Sequence, residues 1–361
     1  MNISTQERFQ QLDQLLLRHW SAWQPAFGSD AKLWLTEATL TAIAHELGSA
    51  TQLTSSPLLP IQSEPPAGTK LRKWRQLQHF KGCFNSSAET IVDWCCGMGH
   101  LSGHLASDRH AVIGLEIDSS LIARASARSS KMTLFHQCDV LSEAEQYLSS
   151  AQSIVALHAC GALHTALVEK AVESQVHDLH FSPCCYHKRF NRGLKMLSQP
   201  ARRSPLVLNE RNIQLAVRQS VTAPKREQFA REKLRLYRLG FDEWVKRELG
   251  IEHYTHLPST SPAIATKGFA TFCAWGAKQR VPELSGVAVN DESRLLSSAE
   301  ERLELEVAYE AQCEVFRRAL EIRLCLDNVL FLEENGFQAE LIEFCPSSIT
   351  PRNIMIRAFR A

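Results

Sequence analysis

Residues 90–101 read TIVDWCCGMGHL: a short β-branched apolar run, an acid at its end, a loop carrying Gly97 and Gly99, and the start of a helical pattern. Glycines at such a strand-to-helix turn accept positive φ and let backbone approach a ligand closely. The helix that follows presents N–H groups with no partner in its own first turn. Four more apolar runs follow, HAVIGLEI, MTLFHQCDV, SIVALHAC and DLHFSPC, with helical stretches such as LSGHLA, SSLIARASARS and HTALVEKAVES between them. Five short strands alternating with helices predict an α/β fold, a Rossmann-like doubly wound sheet covered on both faces, with its working edge at the strands' C-terminal ends.

Outward from this core, residues 1–69 read as a helical N-terminal region and linker. Apolar positions at helical spacing give two or three helices, and Pro57, Pro60, Pro65 and Pro66 among Ser and Thr mark a boundary loop. Residues 70–187 form the core, opened by the basic helix LRKWRQLQHF. Residues 188–298 read as a basic helical insertion. In residues 299–361 a helix, with capping boxes at Ser297/Glu300 and Ser298/Glu301, ends at Asn335-Gly336, and QAELIEFCP and RNIMIRAFR form a terminal hairpin. The expected sheet is mainly parallel and seven-stranded.

The glycine loop departs from the dinucleotide pattern G-x-G-x-x-G, because Ser102 stands where the third glycine belongs. S-adenosylmethionine, which has no pyrophosphate, suits the residues better. Asp93 fits the cationic methionine end, Glu116, 19 residues past Gly97, fits the ribose hydroxyls, and Asp139 fits the adenine amino group. Gly97 and Gly99 alone would specify only a tight turn; three acids ending three successive strands specify a nucleoside. The expected cofactor-contacting set is Asp93, Cys95, Gly97, Gly99, His100, Leu101, Glu116, Ile117, Asp139, Val140 and His158.

The segments DWCCGMGHL, ALHACGALH and SPCCYHK, with ITPRNIMIRA near the end, resemble the family of Rossmann-like methyltransferases that includes methyltransferase-like protein 25 and the glutathione S-transferase C-terminal-domain-containing protein. The resemblance to bacterial members covers mostly Ile91 to Lys188 and the last thirty or so residues. It implies S-adenosylmethionine as cofactor and methyl transfer as the activity, and supplies no substrate. Cys95 occupies the place of the first loop glycine in many methyltransferases. HACG replaces the Asn/Asp-Pro-Pro-aromatic motif on which adenine N6 methylation relies.

Methyl transfer requires mainly that the acceptor be positioned and, where needed, deprotonated. His158 and Cys160 end the fourth strand; Cys184, Cys185, Tyr186 and His187 end the fifth. Three arrangements fit. His158 or His187 is a general base, with Tyr186 stacking on or hydrogen-bonding a planar acceptor. Alternatively Cys184 or Cys185 is a covalent nucleophile, as carbon methylation of a pyrimidine needs. In the third, the cysteines and histidines ligate a metal, but adjacent cysteines lack the two-residue gap that suits two thiolates on one tetrahedral ion, so no metal is expected.

The chain holds 40 Lys+Arg against 39 Asp+Glu, yet residues 186–247 carry sixteen basic and five acidic residues, a net of +11. Such a segment attracts phosphates and points to RNA as partner and acceptor, unless its charges pair with acids of the C-terminal helix. A protein or small-molecule acceptor, or a non-catalytic binding protein, are the alternatives. Eleven cysteines, with pairs at Cys95-Cys96 and Cys184-Cys185, suit a reducing compartment. With no long apolar run and a charged N-terminal stretch, a cytoplasmic location without membrane contact is expected.

Overall fold

A computed structural model of the chain describes residues 3–24, 35–57, 64–66, 68–188, 195–218 and 225–360, with the side chains of 225–227 not described. Parts of the expected linker and Pro60 lie outside these residues, as do Arg189 and Arg192 of the basic segment, and the side chains of its Lys225 and Arg226 are not described.

The chain forms two compact units. The first comprises residues 1–19, 45–218 and 317–361; the second comprises residues 20–44 and 219–316. The first is built on β1 (Thr54–Ser55), β2 (Thr90–Trp94), β3 (Ala111–Glu116), β4 (Thr133–Gln137), β5 (Ser153–Cys160), β6 (Asp178–Cys184), β7 (Phe337–Glu343) and β8 (Ile354–Arg360). They lie in the order β1-β7-β8-β6-β5-β2-β3-β4. All neighbours are parallel except β8, which runs antiparallel to β6 and β7. The sheet therefore has eight strands rather than the expected seven. The extra one, β1, comes from the Ser/Thr/Pro stretch read as linker: two residues suffice to bond the otherwise open edge of β7, with Thr54 opposite Ile342 and Ser55 opposite Glu343.

Three helices fix the site. α3 (Leu71–Cys83) buries Trp74, Leu77, Phe80 and Cys83, which join Ile91, Val112, Val155, Phe344 and Met355 in one core. α4 (His100–Leu105) follows β2 and α7 (Ala162–Glu173) follows β5. From β2 the chain proceeds outward through β3 and β4, then returns to β5 on the other side of β2. That reversal opens a crevice between the loops after β2 and β5, where open α/β sheets bind ligands.

Residues 195–218, which the sequence places in the insertion, belong to the sheet unit. Asp327 accepts from the backbone N–H groups of Leu197 and Ser198 and from the Ser198 hydroxyl. The second unit packs α10 (Lys225–Leu249) and α11 (Phe269–Arg280) around Phe241, Trp244, Phe269 and Phe272. The long helix α12 spans Glu292–Glu334. It starts nearly two turns earlier than the two capping boxes predict, directly after Asp291, whose carbonyl accepts from Arg294 and Leu295; Ser297 and Ser298 lie inside it. Its end just before Asn335-Gly336, with Gly336 at φ 83°, agrees with the sequence.

Candidate active site

The β2–α4 loop turns through three left-handed residues, Cys95 (φ 59°), Gly97 (φ 59°) and Gly99 (φ 70°). Cys95 thus keeps the conformation of the glycine it replaces, and the turn survives the substitution. A Cβ on Gly99 would lie 2.5 Å from the Phe135 ring, whereas one on Gly97 would meet nothing within 4 Å. Gly99 lets the loop close on the sheet; Gly97 leaves open space above the backbone. The loop is anchored by the Cys96 N–H to the Leu115 carbonyl at 2.9 Å and the Gly99 N–H to the Cys96 carbonyl at 3.0 Å.

Asp93 lies beneath this loop and is only 2% exposed. Its Oδ2 accepts from the Ser102 hydroxyl at 2.6 Å. Burial pushes its carboxyl up to about 6, against the opposing pull of Ser102 and of the Lys73 charge. The serine at the third-glycine position is therefore the partner of the buried acid, a role the motif comparison missed. Glu116 accepts from the Gly97 N–H at 3.1 Å through one oxygen and from Ile117 and Asp118 N–H at 2.9 and 3.2 Å through the other. This joins the β3 tip to the glycine loop. Beside it Ile117 is 50% exposed, an apolar face suited to a nucleoside base. At the β4 tip Asp139 accepts from the Leu141 N–H at 3.1 Å, and Val140 is buried. His100 opens α4 with Nδ1 3.4 Å from the Thr69 hydroxyl, and Leu101 is in the core.

On the other side of the crevice, β5 changes register against β6 between Leu157 and Cys160, and His158 takes φ 74°. The Gln76 amide nitrogen lies 2.5 Å from His158 Nε2; with the amide donating, the ring proton is left on Nδ1. Nδ1 is buried with no partner. Burial, then the Lys73 and Arg352 charges, lower the imidazole to about 3. A ring so held is neutral, and with Nε2 taken up by Gln76 it is a weaker base than a free imidazole. Gln76 was not foreseen: it lies one turn from Lys73 on the basic helix, and nothing in its spacing marks it.

Tyr186 is 1% exposed, with its hydroxyl 2.9 Å from Cys325 Sγ and its ring packed edge-on against His164. It cannot stack on an acceptor, and that expectation is corrected: the backbone turns at Cys185, which sends the tyrosine inward. Cys184 is also 1% exposed. The neighbouring Cys160 and Cys185 and burial drive its thiol up, which disfavours Cys184 as a free nucleophile. Cys185 (φ 44°) is driven down, chiefly by hydrogen bonds from Cys160 and Cys184, with Arg352 and Lys188 assisting. His187 Nδ1 is buried without a partner.

Cations surround this edge. Lys73, on α3, is lowered by burial, opposed by Asp93 and Cys184. Arg72 donates to the Ile349 carbonyl at 2.6 Å, joining α3 to the β7–β8 loop, and Arg352 in that loop has a buried Nε without a partner. Sequence reasoning saw LRKWR as basic; that it covers the strand tips became visible only in the fold.

Strand tips that combine an open glycine backbone, a buried acid, a carboxylate bonded to the loop and an exposed apolar side chain define a nucleoside-binding α/β domain. Residues 72–191 match the family model described as a methyltransferase domain. The glutathione S-transferase C-terminal domain-containing protein of Xenopus laevis is 29% identical over 138 residues, covering 36% of this chain. The match spans only 22% of that protein's length. Among solved structures, the methyltransferase domain of bacterial CtHen1 is similar with a TM-score of 0.27 and 15% identity over 30% of this chain and 65% of that one. An S-adenosylmethionine-dependent methyltransferase of Mesorhizobium loti gives 0.22 and 19% over 30% and 52%. Residues 72–191, which hold the glycine loop, the β3 and β4 tips and the ends of β5 and β6, are thus where this chain is similar to methyltransferase domains.

Proposed function

We propose that the chain transfers the methyl group of S-adenosylmethionine to RNA. The observation that carries the reading is that the charges of Lys73, Arg352 and Arg72 act on His158 and those of Arg352 and Lys188 on Cys185, at the ends of β5 and β6. Cations set around a methyl-transfer site favour a polyanionic acceptor, whose phosphates they hold.

The longer basic segment supports RNA less than its composition suggests. Lys195 pairs with Glu169 at 2.5 Å, Lys246 with Asp242 at 3.0 Å and Arg247 with Glu248 at 2.9 Å, while Arg235 pairs with Glu306 and Glu310 of α12. Those charges are answered within their own units, which leaves the four at the strand tips to meet a polyanion.

The residues divide the work as follows. Glu116 and Asp139 orient the nucleoside, and Asp93 faces the methionine end of the cofactor. When bound, S-adenosylmethionine supplies an electrophilic methyl carbon. Gln76 fixes the His158 tautomer so that Nδ1–H donates to the acceptor and positions it. His187, whose Nδ1 is unsatisfied, takes the acceptor's proton where one is lost. Most of the rate enhancement then comes from orientation and exclusion of water.

The test is incubation of the pure protein with labelled S-adenosylmethionine and an extract of cells lacking it. Label in RNA supports the reading; label in protein or small molecules alone overturns the acceptor. In a second arm, Lys73→Gln with Arg352→Gln should weaken RNA binding and reduce the salt slope by about two.

A further inference from the structure

The tips of β5 and β6 carry a second feature that methyl transfer does not require. Cys160 and Cys184 face one another across the parallel pair, with Sγ atoms 3.1 Å apart, and Cys185 adds a third thiol. All three Sγ atoms lie within 4.8 Å of one another. We propose that Cys160, Cys184 and Cys185 bind a thiophilic metal ion, zinc, as a three-thiolate site that fastens the two strand tips together.

The backbone shows why adjacent cysteines can act together here. In an extended strand, successive side chains point to opposite faces, so Cys184 and Cys185 would diverge. At Cys185 the chain leaves the strand with φ 44°, a left-handed conformation costly to a residue with a Cβ. The turn is held by three hydrogen bonds: Lys188 N–H to the Cys185 carbonyl at 2.8 Å, Gly161 N–H to the Cys184 carbonyl at 3.1 Å and Ala162 N–H to the Lys188 carbonyl at 3.3 Å. Gly161 (φ 58°) permits this closure, since a Cβ there would lie 1.8 Å from the Lys188 carbonyl oxygen. The register change at Leu157/Cys160 sets Cys160 opposite Cys184. Three departures from regular backbone, at Cys160, Gly161 and Cys185, thus bring three sulfurs together.

The spacing suits the ion. Zinc–thiolate bonds of ~2.3 Å place tetrahedral ligands roughly 3.8 Å apart, between the 3.1 Å from Cys160 to Cys184 and the 4.8 Å that bounds the group. Zinc with three thiolates carries a net charge of −1, and Lys188 and Arg352 stand beside Cys185 to offset it. A three-ligand zinc site keeps one open position. The proposal does not depend on RNA being the acceptor or on methyl transfer taking place.

The full-length protein, purified under reducing conditions without chelator, should contain about one zinc per chain. Replacement by Co2+ should produce a near-ultraviolet sulfur-to-cobalt charge-transfer band and the strong visible bands of tetrahedral cobalt. Cys160→Ser and Cys185→Ser should each reduce zinc to below about a tenth of the wild-type content, while Cys313→Ser, whose thiol lies in the other unit, should retain it. Calorimetric binding of S-adenosylmethionine by each variant shows whether its fold is intact. Should either variant fail to fold, the cobalt spectrum of the wild-type protein decides. Absence of zinc together with absence of a charge-transfer band overturns the proposal, as does full zinc retention in both folded variants.

Discussion

The Ser102 hydroxyl donates to Asp93 Oδ2 across 2.6 Å, linking the residue that breaks the dinucleotide motif to the acid at the end of the first core strand. The pair has a pH consequence. Burial raises the Asp93 carboxyl to about 6, so folding favours its protonated form; that contribution to stability is present in acid and is lost as pH rises through about 6. Binding of a cationic methionine moiety runs the other way, because it requires the carboxylate. S-adenosylmethionine affinity measured calorimetrically should rise about tenfold between pH 5 and pH 7, with proton release. Asp93→Asn should weaken binding and flatten this dependence. A pH-independent wild-type affinity would show that Asp93 does not meet the cofactor's charge.

Glu116 holds the Gly97 N–H with one oxygen and two further N–H groups with the other. Glu116→Gln keeps the shape but removes one acceptor oxygen and the charge. Hydrogen bonds to charged groups contribute about 1.5–3 kcal/mol, so cofactor affinity should fall by roughly one to two orders of magnitude with little change in melting temperature. A fall in melting temperature at unchanged affinity would assign Glu116 to the loop alone.

His158 is lowered to about 3 by burial and nearby cations. Its neutral form is favoured by folding, so its contribution to stability is complete above about pH 6.5 and declines as pH falls toward 3. Nuclear magnetic resonance of the labelled ring should show a neutral imidazole protonated at Nδ1 throughout pH 5–8. A titration in that interval would restore His158 as a candidate base.

Gly161→Ala should be severely destabilising, by about 3 kcal/mol or more, because it combines positive φ with a Cβ 1.8 Å from the Lys188 carbonyl oxygen. Gly48→Ala is the matching control. Gly48 sits in the helix α2 (Glu37–Thr51) with nothing within 4 Å of an added Cβ, and the exchange should stabilise by about 0.5–1 kcal/mol. Equal effects in denaturant unfolding would mean that the β5–β6 turn is not closed as described.

The alternation of short apolar runs with helical stretches was legible because each period, two or 3.6, is written locally. The ends of β5 and β6 were read to the residue for this reason, and so was the stop at Gly336, which its positive φ requires. The acids Asp93, Glu116 and Asp139 were legible as strand-end residues. Their partners were not: Ser102 looked like a failed glycine, and Gln76 and Lys73 reach the site only because α3 packs across the strand tips, a tertiary fact without a local signature. Tyr186 misled because its neighbourhood is polar while its direction is set by the turn at Cys185. β1 escaped for the opposite reason, since two residues on an open sheet edge need only a free ladder and no sequence pattern of their own.

The central claim is that a sulfonium nucleoside occupies the space above Gly97. Calorimetric titration of S-adenosylmethionine into the wild-type protein and into Gly97→Leu tests it most directly, because the Cβ there meets nothing within 4 Å, and the left-handed backbone costs a residue with a Cβ about 1–2 kcal/mol. The account predicts one equivalent bound by the wild type and none by the folded variant; equal binding by both, or none by either, would contradict it.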